Sequence, residues 1–396
     1  RELHRRRHSF PTRRSSDLTC TVALGLLLLP LIGQADFLDK QHLDWNTSVR
    51  IEGASNTLPV MALGKPSWPG LYSPRDEHAH AWQSMRFDLG LSTRDGWQVG
   101  YLARYEASLH ANSDTVDMAA LIEKGQDPSG ARKFNVDLNS KTWSGQGLSV
   151  ETPWLKLSTH DNIKYRAQWQ LLSLERLNTR TASGWIDYTA DKAYEFNVGS
   201  DHNSNKKTSQ FSQAPDARGW GTSLSLSLRY DYDSASHIAF QGQDLLSQLN
   251  WRLLNEQANL NSRQKITFTD GSVDFTPMVS GRYQNITVKE KIDPDIRLRW
   301  ARSVATDTKT FGNGQAVFDY RSRSNVSQYW VGWATKNFHD IGFSNKTPQY
   351  KVSADALQKA LRFELRYDKS FLVVGGDRFG QDAKQKIFQL GWRTNF

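Results

Sequence analysis

The chain has 396 residues, 38% of them hydrophobic and 11% aromatic, and its 50 Lys and Arg against 41 Asp and Glu give a formal net charge of +9. Cys20 is the one cysteine of the sequence, so beyond the N-terminal segment the composition excludes a disulfide scaffold, a thiolate metal site and a cysteine nucleophile. No basic run carries interleaved aromatic residues, and we expect no nucleic-acid partner.

The N-terminal segment is expected to contribute nothing to the fold. Residues 1–18 carry six arginines and resemble a translated sequencing adapter, so we set them aside as non-native. Residues 19–32 form an apolar run followed by Gly33-Gln34-Ala35, a pattern typical of a signal-peptide remnant over 19–35. The run is shorter than the roughly 20 residues that a membrane-spanning helix needs. We therefore predict one mature domain over 36–396.

Apolar and polar residues then alternate in segments spread over the whole mature chain. In the first segment, Trp45, Val49 and Ile51 share one face of a strand, and Arg50 and Glu52 share the other. Strands of about 10 residues with one apolar face are typical of membrane β-barrels. The clearest alternating segments are 43–52, 85–91, 97–109, 223–232, 296–300, 361–367 and 386–396. They predict an all-β, transmembrane, antiparallel up-and-down barrel of about 16 strands, within a range of roughly 14 to 18.

The connections between these segments are predicted to be short at one end of the barrel and long at the other. The predicted short turns are Asp95-Gly96, 144–147, 234–236 and 368–370, and the predicted long loops are 53–80, 112–132 and 200–219. This asymmetry is typical of short periplasmic turns and longer extracellular loops. We also predict a strand over 165–177, and turns at 293–295 and 312–314.

One stretch inside the second long loop has a helical pattern. Residues 114–124 begin with an acidic turn, place apolar residues at helical spacing and end before Gly125. We expect this helix to fold over or into the pore. Asp114, Met118 and Ile122 are the residues of the predicted constriction.

The C-terminal strand carries the most specific pattern of the chain. Phe388, Leu390, Trp392 and Phe396 fall on one face of it, and polar residues occupy the other. This ending resembles the terminal assembly signal of Gram-negative outer-membrane β-barrels, from which Thr394 departs because that position is usually hydrophobic. The resemblance implies residence in the outer membrane, insertion by the barrel assembly machinery, and contact with outer-membrane lipid and lipopolysaccharide. It does not identify a specific family.

The predicted polar faces carry a recurring arginine motif. Five strands have an arginine followed two residues later by an acid, so both side chains point the same way. The predicted lumen and selectivity residues are Arg50, Glu52, Arg86, Asp88, Arg104, Glu106, Arg166, Arg229, Asp231, Arg297, Arg299, Arg362, Glu364, Arg366 and Arg393. Fixed cations around a water-filled channel raise the local concentration of anions. We therefore expect a porin-like channel for small polar or anionic solutes.

Several alternatives remain open at this stage. The charged residues are also compatible with a closed ion-pair lattice that fills the interior without conducting. A barrel that exports a polysaccharide, a non-conducting surface-binding barrel, and a soluble periplasmic β-sandwich or β-solenoid are the other candidates. His78-x-His80 lacks a third anchored ligand, so we predict no metal site. No recognisable catalytic set is present, and we expect neither an enzyme nor a cofactor.

Overall fold

The structure is a computed structural model. It describes residues 43–60, 63, 78–157, 160–191, 193–204, 218–233, 236–262, 265–267, 269, 273–275, 279–304, 314–335, 338, 348–378 and 383–395. The predicted adapter and signal-peptide segments, the 312–313 part of the predicted turn, and Phe396 lie outside these residues.

The described chain is almost entirely β-structure with one helix. Its elements in chain order are β1 Asp44–Ser55, β2 His78–Ser92, β3 Gln98–Asn112, α1 Ser113–Lys124, β4 Arg132–Glu151, β5 Leu155–Leu157, β6 His160–Tyr188, β7 Tyr194–Ser204, β8 Arg218–Asp231, β9 His237–Asn261, β10 Lys265–Thr267, β11 Val273–Phe275, β12 Val279–Glu290, β13 Asp295–Val304, β14 Gly314–Arg323, β15 Val326–Thr335, β16 Gln349–Asp355, β17 Ala360–Tyr367, β18 Ser370–Gly376 and β19 Gln385–Asn395. In the described ranges no helix has the length and apolar character needed to cross a membrane.

The strands form a closed antiparallel barrel. Closure occurs at β1, where Asp44 is opposite Ser92 of β2 on one side and opposite Asn395 of β19 on the other. The main sheet contains 17 of the described strands, and they occupy 14 positions around the barrel. Three positions are filled by two consecutive strands lying end to end, namely β4 with β5, β7 with β8, and β12 with β13. The 14 positions are the lower limit of the predicted range and fewer than the expected 16, because those interruptions cannot be told from turns in the sequence.

We call the end of the barrel that holds Asp44 and Asn395 the terminal end, and the opposite end the far end. At the terminal end Asp95-Gly96 closes the β2–β3 hairpin, with Gly96 at a φ of 89°. At the far end Ser324 and Asn325 close the β14–β15 hairpin, both with positive φ as a two-residue type I′ turn requires. Short turns therefore occur at both ends, and the strand bounds also leave long connections at both, 56–77 at the far end and 336–348 at the terminal end.

Three predicted connections are wrong in their placement. Residues 144–147 lie inside β4, where they pair with β3 and β6 beside a β-bulge whose extra residue is Glu175 of β6. Residues 200–204 belong to β7 and 218–219 to β8, so both ends of the predicted 200–219 loop are strand, and 205–217 lie outside the described residues. The predicted turn at 293–295 is a connection over 291–294, and Asp295 already begins β13.

The wall of the barrel is much taller on one side than on the other. Strands β4, β6 and β9 have 20, 29 and 25 residues, whereas β16 and β18 have seven each. On β6 the outward face is apolar near the terminal end, where Trp169 is 43% exposed, and polar further along, where Glu175 and Arg180 are exposed. The tall strands therefore continue as a hydrophilic wall beyond the apolar belt.

The distribution of side chains is the inverse of that in a water-soluble domain. Trp45, Tyr101 and Trp392 point outward and are 38%, 38% and 45% exposed, while the inward Arg104 and Glu106 are each 5% exposed. Outward leucine, valine and aromatic residues form a belt around the barrel near the terminal end. A soluble sandwich or solenoid buries its apolar face, so this arrangement argues against that alternative.

Helix α1 lies against the outer face of the barrel. The Asn112 side chain caps its first turn by accepting from the Thr115 amide at 2.9 Å, and Gly125 ends it in a left-handed conformation. Val116 packs in one buried cluster with Ala107 and Leu109, which share the outward face of β3 with Tyr101. The expectation of a helix inside the pore therefore differs from the structure. The apolar face of α1 covers the outer wall. The two lumen cavities are therefore lined by none of the predicted constriction residues Asp114, Met118 and Ile122.

Candidate functional site: the barrel lumen

A cavity of about 660 Å³ occupies the lumen near the terminal end; we call it the terminal-end cavity. Among the described residues, ten arginines and six acids line it, which leaves four positive charges in excess. The arginines are Arg50, Arg86, Arg94, Arg166, Arg297, Arg299, Arg321, Arg362, Arg366 and Arg393, and the acids are Glu52, Asp88, Asp95, Glu151, Asp319 and Glu364. Such an excess in a confined space attracts anions.

A second cavity of about 740 Å³, the far-end cavity, lies nearer the opposite mouth. Its described lining has Lys141, Lys291 and Arg323 as fixed cations, and it has three acids, so its formal charge is balanced when its two histidines are neutral. The two cavities share no described lining residue. Of these two cavities, the terminal-end one therefore carries the excess of positive charge.

A layer of buried side chains separates the two cavities; we call it the septum and define it by Glu52, Trp82, Arg104, Glu106, Asp244, Asp295, Arg321 and Arg323. All eight are at most 6% exposed. On one side of the layer Arg104 binds both oxygens of Asp244, at 2.8 Å and 2.7 Å, and reaches Glu106 at 2.8 Å. Buried charges are tolerated only when paired and hydrogen-bonded, as these are.

The other side of the septum depends on two arginines at the tip of the β14–β15 hairpin. Arg321 contacts Asp295 at 2.5 Å and Glu52 at 2.8 Å, and Arg323 forms an ion pair with Glu106. Both guanidinium groups stack on the indole of Trp82, at 4.4 Å and 5.1 Å from the ring centroid. One short hairpin therefore supplies the arginines that face both cavities.

Asp244 is the septum residue with the most unusual backbone. It lies in β9 beside an irregularity in the pairing with β8 and has a φ of 57°, a region that non-glycine residues rarely adopt. The Ser223 hydroxyl donates to its carboxylate at 2.5 Å, and its amide donates to Ser225 Oγ at 3.1 Å. Residues held in such conformations cluster at functional sites, because the surroundings must stabilise them.

A second ion-pair cluster lies on the β13–β17 side of the terminal-end cavity. The Asp319 carboxylate contacts Arg299, Arg362 and Lys351, and Lys351 also contacts Glu364. Lys351 is fully buried, so its ammonium is held by carboxylates instead of water. The cluster therefore holds β13, β16 and β17 around one carboxylate of β14.

The structure brings most of the predicted lumen residues together. Eleven of them line the terminal-end cavity: Arg50, Glu52, Arg86, Asp88, Arg166, Arg297, Arg299, Arg362, Glu364, Arg366 and Arg393. Arg104 and Glu106 lie in the septum. Arg229 and Asp231 are not brought to either cavity; they pair with each other at 2.6 Å near the terminal-end rim, and Lys164 joins them at 3.0 Å.

Sequence reasoning missed the residues that complete the septum. Asp295 was assigned to a turn, and Asp244 lies where the bulge breaks the alternation. Asp319, Arg321 and Arg323 occupy every second position of β14, opposite the outward Phe318 and Tyr320, so their common face was readable from the sequence. The residues of other strands with which they form ion pairs could not be read from the sequence.

Apolar side chains fill part of the lumen beside the septum. Trp143, Leu172, Trp251 and Ile292 belong to one buried cluster on the tall side of the barrel, and Arg104 lies 5.3 Å from the Trp143 ring centroid. Ser247 and Ile292 exchange hydrogen bonds between the Ser247 hydroxyl and the Ile292 backbone, at 2.9 Å and 3.3 Å, which fixes the 291–294 connection against β9. The cluster therefore occupies the tall side of the lumen beside the septum.

The predicted His78-x-His80 pair lies at the far-end edge of β2. His80 and His110 of β3 have Nδ1 atoms 3.1 Å apart, and the His78 ring stacks on His110. Within the described ranges, no group of three or more His, Cys, Asp or Glu side chains has the arrangement of a metal site. The predicted assembly-signal residues Phe388, Leu390 and Trp392 point outward from β19 and are 39%, 36% and 45% exposed.

Comparisons with known proteins add distant likenesses. No family model matches the chain, and no curated protein matches it. Among solved structures it is similar to the P. putida toluene transporter TodX, with a TM-score of 0.36, 12% identity and 90% of each chain covered. It is also similar to a TodX deltaS2S3 mutant, a monoaromatic hydrocarbon channel, with a TM-score of 0.39, 9% identity and 89% of each chain covered. The Ralstonia pickettii toluene transporter TbuX gives a TM-score of 0.27, 7% identity and 90% of each chain covered. With TM-scores this low, the barrel is assigned from its own closed strand pairing.

Proposed function

We propose that this protein is an outer-membrane channel of a Gram-negative bacterium that carries small polar or anionic solutes. The observation that carries the proposal is the terminal-end cavity, where ten arginines face six acids inside a closed barrel. The outward apolar belt suits lipid, and the inward arginines suit a water-filled, anion-attracting path. Selection by charge and size needs no catalytic residue and no cofactor.

The septum is proposed to act as a gate. Arg321 and Arg323 stand within three residues of the Ser324-Asn325 turn, so a shift of this hairpin tip withdraws both guanidinium groups from the layer. Buried ion pairs stabilise a fold little more than apolar residues of similar volume would. We therefore infer that the septum pairs serve switching and not stability. When the septum opens, the two cavities join into one path.

Single-channel recording in planar bilayers tests the channel and its gate. In the Arg321→Met/Arg323→Met double variant we expect openings several-fold more frequent than in the wild type. The substitutions remove the ion pairs that hold the hairpin tip to Glu52, Asp295 and Glu106. Arg282→Gln on the exposed face of β12 is the matched control and is expected to leave the recordings unchanged. Silence of both the wild type and the double variant would reject the channel.

The second candidate is a non-conducting barrel that binds a ligand at the cell surface. The septum and the hydrophilic extension of β4, β6 and β9 favour it, since a closed lumen and a tall polar wall suit surface recognition better than diffusion. For both candidates we propose that the assembly machinery recognises β19, and that Phe388, Leu390 and Trp392 contact outer-membrane lipid, with lipopolysaccharide around the far end.

A further inference from the structure

Three arginines form a row across neighbouring strands of the lumen wall. Arg50 of β1 is directly opposite Arg86 of β2, and Arg86 is directly opposite Arg104 of β3. Like charges in directly opposite positions of an antiparallel pair are destabilising. The row therefore needs compensating negative charge close by.

The acids near this row are already committed to other cations. Asp88 binds Arg86 through both oxygens, at 2.8 Å and 2.9 Å. Glu52, the next inward residue on β1, contacts Arg297 at 3.1 Å and Arg321 at 2.8 Å. Asp244 and Glu106 neutralise Arg104. Two members of the row are thus ion-paired, whereas Asp88 and Glu52 act on the third, Arg50, without forming an ion pair or hydrogen bond with it.

Arg50 is the member of the row without a partner. It forms no ion pair or hydrogen bond in the described part of the chain, and its Nε is buried without an acceptor. Its electrostatic neighbours are Arg86, Asp88, Glu52 and Arg297. The side chain lines the terminal-end cavity, so its free guanidinium faces the space a solute occupies.

An apolar wall borders the same cavity two strands away. Arg50 is opposite Gln389 of β19, which is opposite Val373 of β18, so these three residues lie at one level. Adjacent strands are about 4.8 Å apart, which puts Arg50 and Val373 about 10 Å apart at their backbones. Ile387 and Phe371 extend this wall, and the Phe371 ring covers Gly391, where a side chain would collide with it.

We propose that the terminal-end cavity binds a small organic carboxylate with an apolar body, held by Arg50. A carboxylate accepts two parallel hydrogen bonds from one guanidinium fork and supplies the charge that the row lacks. An apolar body of about one ring then lies against Phe371, Val373 and Ile387. The proposal names a solute class for the channel. It depends on the channel function only because the solute must enter the lumen.

The test is equilibrium binding to the full chain in detergent at constant ionic strength, followed by tryptophan fluorescence and by calorimetry. Benzoate, acetate and inorganic phosphate are the probes. We expect benzoate to bind at least about tenfold more tightly than acetate or phosphate. Arg50→Gln should weaken benzoate binding by about tenfold or more, since a charge-assisted hydrogen bond is lost. Phe371→Ala should weaken benzoate but leave acetate unchanged, and Arg282→Gln should change neither.

Each remaining outcome overturns the inference. Equal affinity for benzoate and acetate rejects the apolar wall, tighter binding of phosphate rejects the carboxylate class, and unchanged binding in Arg50→Gln rejects the site. The outcome for the channel is separate, because conductance in chloride needs no benzoate. If benzoate binds but both the wild type and the Arg321→Met/Arg323→Met variant are silent in bilayers, the site is kept and the channel is rejected. If the protein conducts but does not bind benzoate, the channel is kept and the site is rejected.

Discussion

Arg104 on β3 and Asp244 on β9 are joined by a two-point ion pair inside the lumen, with Nη1–Oδ1 and Nη2–Oδ2 distances of 2.8 Å and 2.7 Å. The two residues are 140 positions apart in the sequence and are 5% and 2% exposed. Gln170 accepts a further hydrogen bond from Arg104 at 2.8 Å. The contacts of Arg104 therefore tie β3, β6 and β9 together within the septum.

Asp244→Asn tests the energetic weight of this pair. The substitution keeps the shape of the side chain but leaves Arg104 with one fewer compensating charge, and breaking a buried pair on one side costs about 3–5 kcal/mol. We expect a loss of that order in the free energy of unfolding, measured by urea titration of the folded barrel in lipid or detergent. Asp231→Asn at the rim is the control and should cost about 1 kcal/mol or less, because its side chain is 19% exposed. Equal losses at both positions would contradict a special role for the septum.

Much of the barrel could be predicted from alternation alone. The faces assigned to Trp45 and Arg50, or to Tyr101 and Arg104, are those that the structure displays, because a period of two translates directly into two faces. The C-terminal strand is also where its pattern indicates. Strand bounds were harder, since β6 continues for 29 residues through segments whose outward face becomes polar above the apolar belt.

The septum could not be predicted, because its contacts join residues that no local pattern relates. Asp295 meets Arg321 across a strand pair, and Asp244 meets Arg104 across the lumen. The site of Asp244 depends on a bulge that places two extra residues in β9, and a single sequence gives no register. Eleven of the predicted lumen residues line the terminal-end cavity, but the Arg-x-acid motif gave no sign of which arginine makes no ion pair in the described chain.

Arg50→Gln should raise stability even though the residue lies in the barrel wall. The change removes a positive charge that is directly opposite Arg86 and has no ion-pair partner in the described chain. Relief of a cross-strand like-charge pair is worth about 0.2–1 kcal/mol, and it appears as a higher unfolding midpoint at low salt. Arg297→Gln is the matched control and should lower the midpoint, because Arg297 neutralises both Glu52 and Asp295. A lower midpoint for Arg50→Gln would mean that Arg50 stabilises the fold.

Replacing α1 with a short glycine linker should leave the single-channel conductance unchanged, since the helix covers the outer face of β2–β4. The expected effect is on stability: Ala107, Leu109 and Ala111 lose their cover, and Arg132 loses Asp114 and Asp117. We expect a lower unfolding midpoint with the same conductance. The milder Asn112→Ala variant removes only the N-cap and should cost about 1 kcal/mol. A larger conductance after removal of α1 would contradict this placement and indicate that the helix narrows the pore.

Ion selectivity should depend on the arginines of the terminal-end cavity and not on the total charge of the protein. In the Arg321→Met/Arg323→Met background, adding Arg86→Gln and Arg166→Gln removes two of the cations that line this cavity, and the permeability ratio of chloride to potassium should fall by about two- to threefold. Reversal potentials in a salt gradient measure the ratio, and the effect should shrink at 1 M salt, where the Debye length is about 3 Å. The matched control in the same background is Arg229→Gln with Arg282→Gln, which removes two cations that line neither cavity. The ratio should stay nearly constant in this control because charges outside the cavity are screened from a permeating ion. An equal fall in both variants would assign selectivity to the overall charge and would remove the cavity from the mechanism.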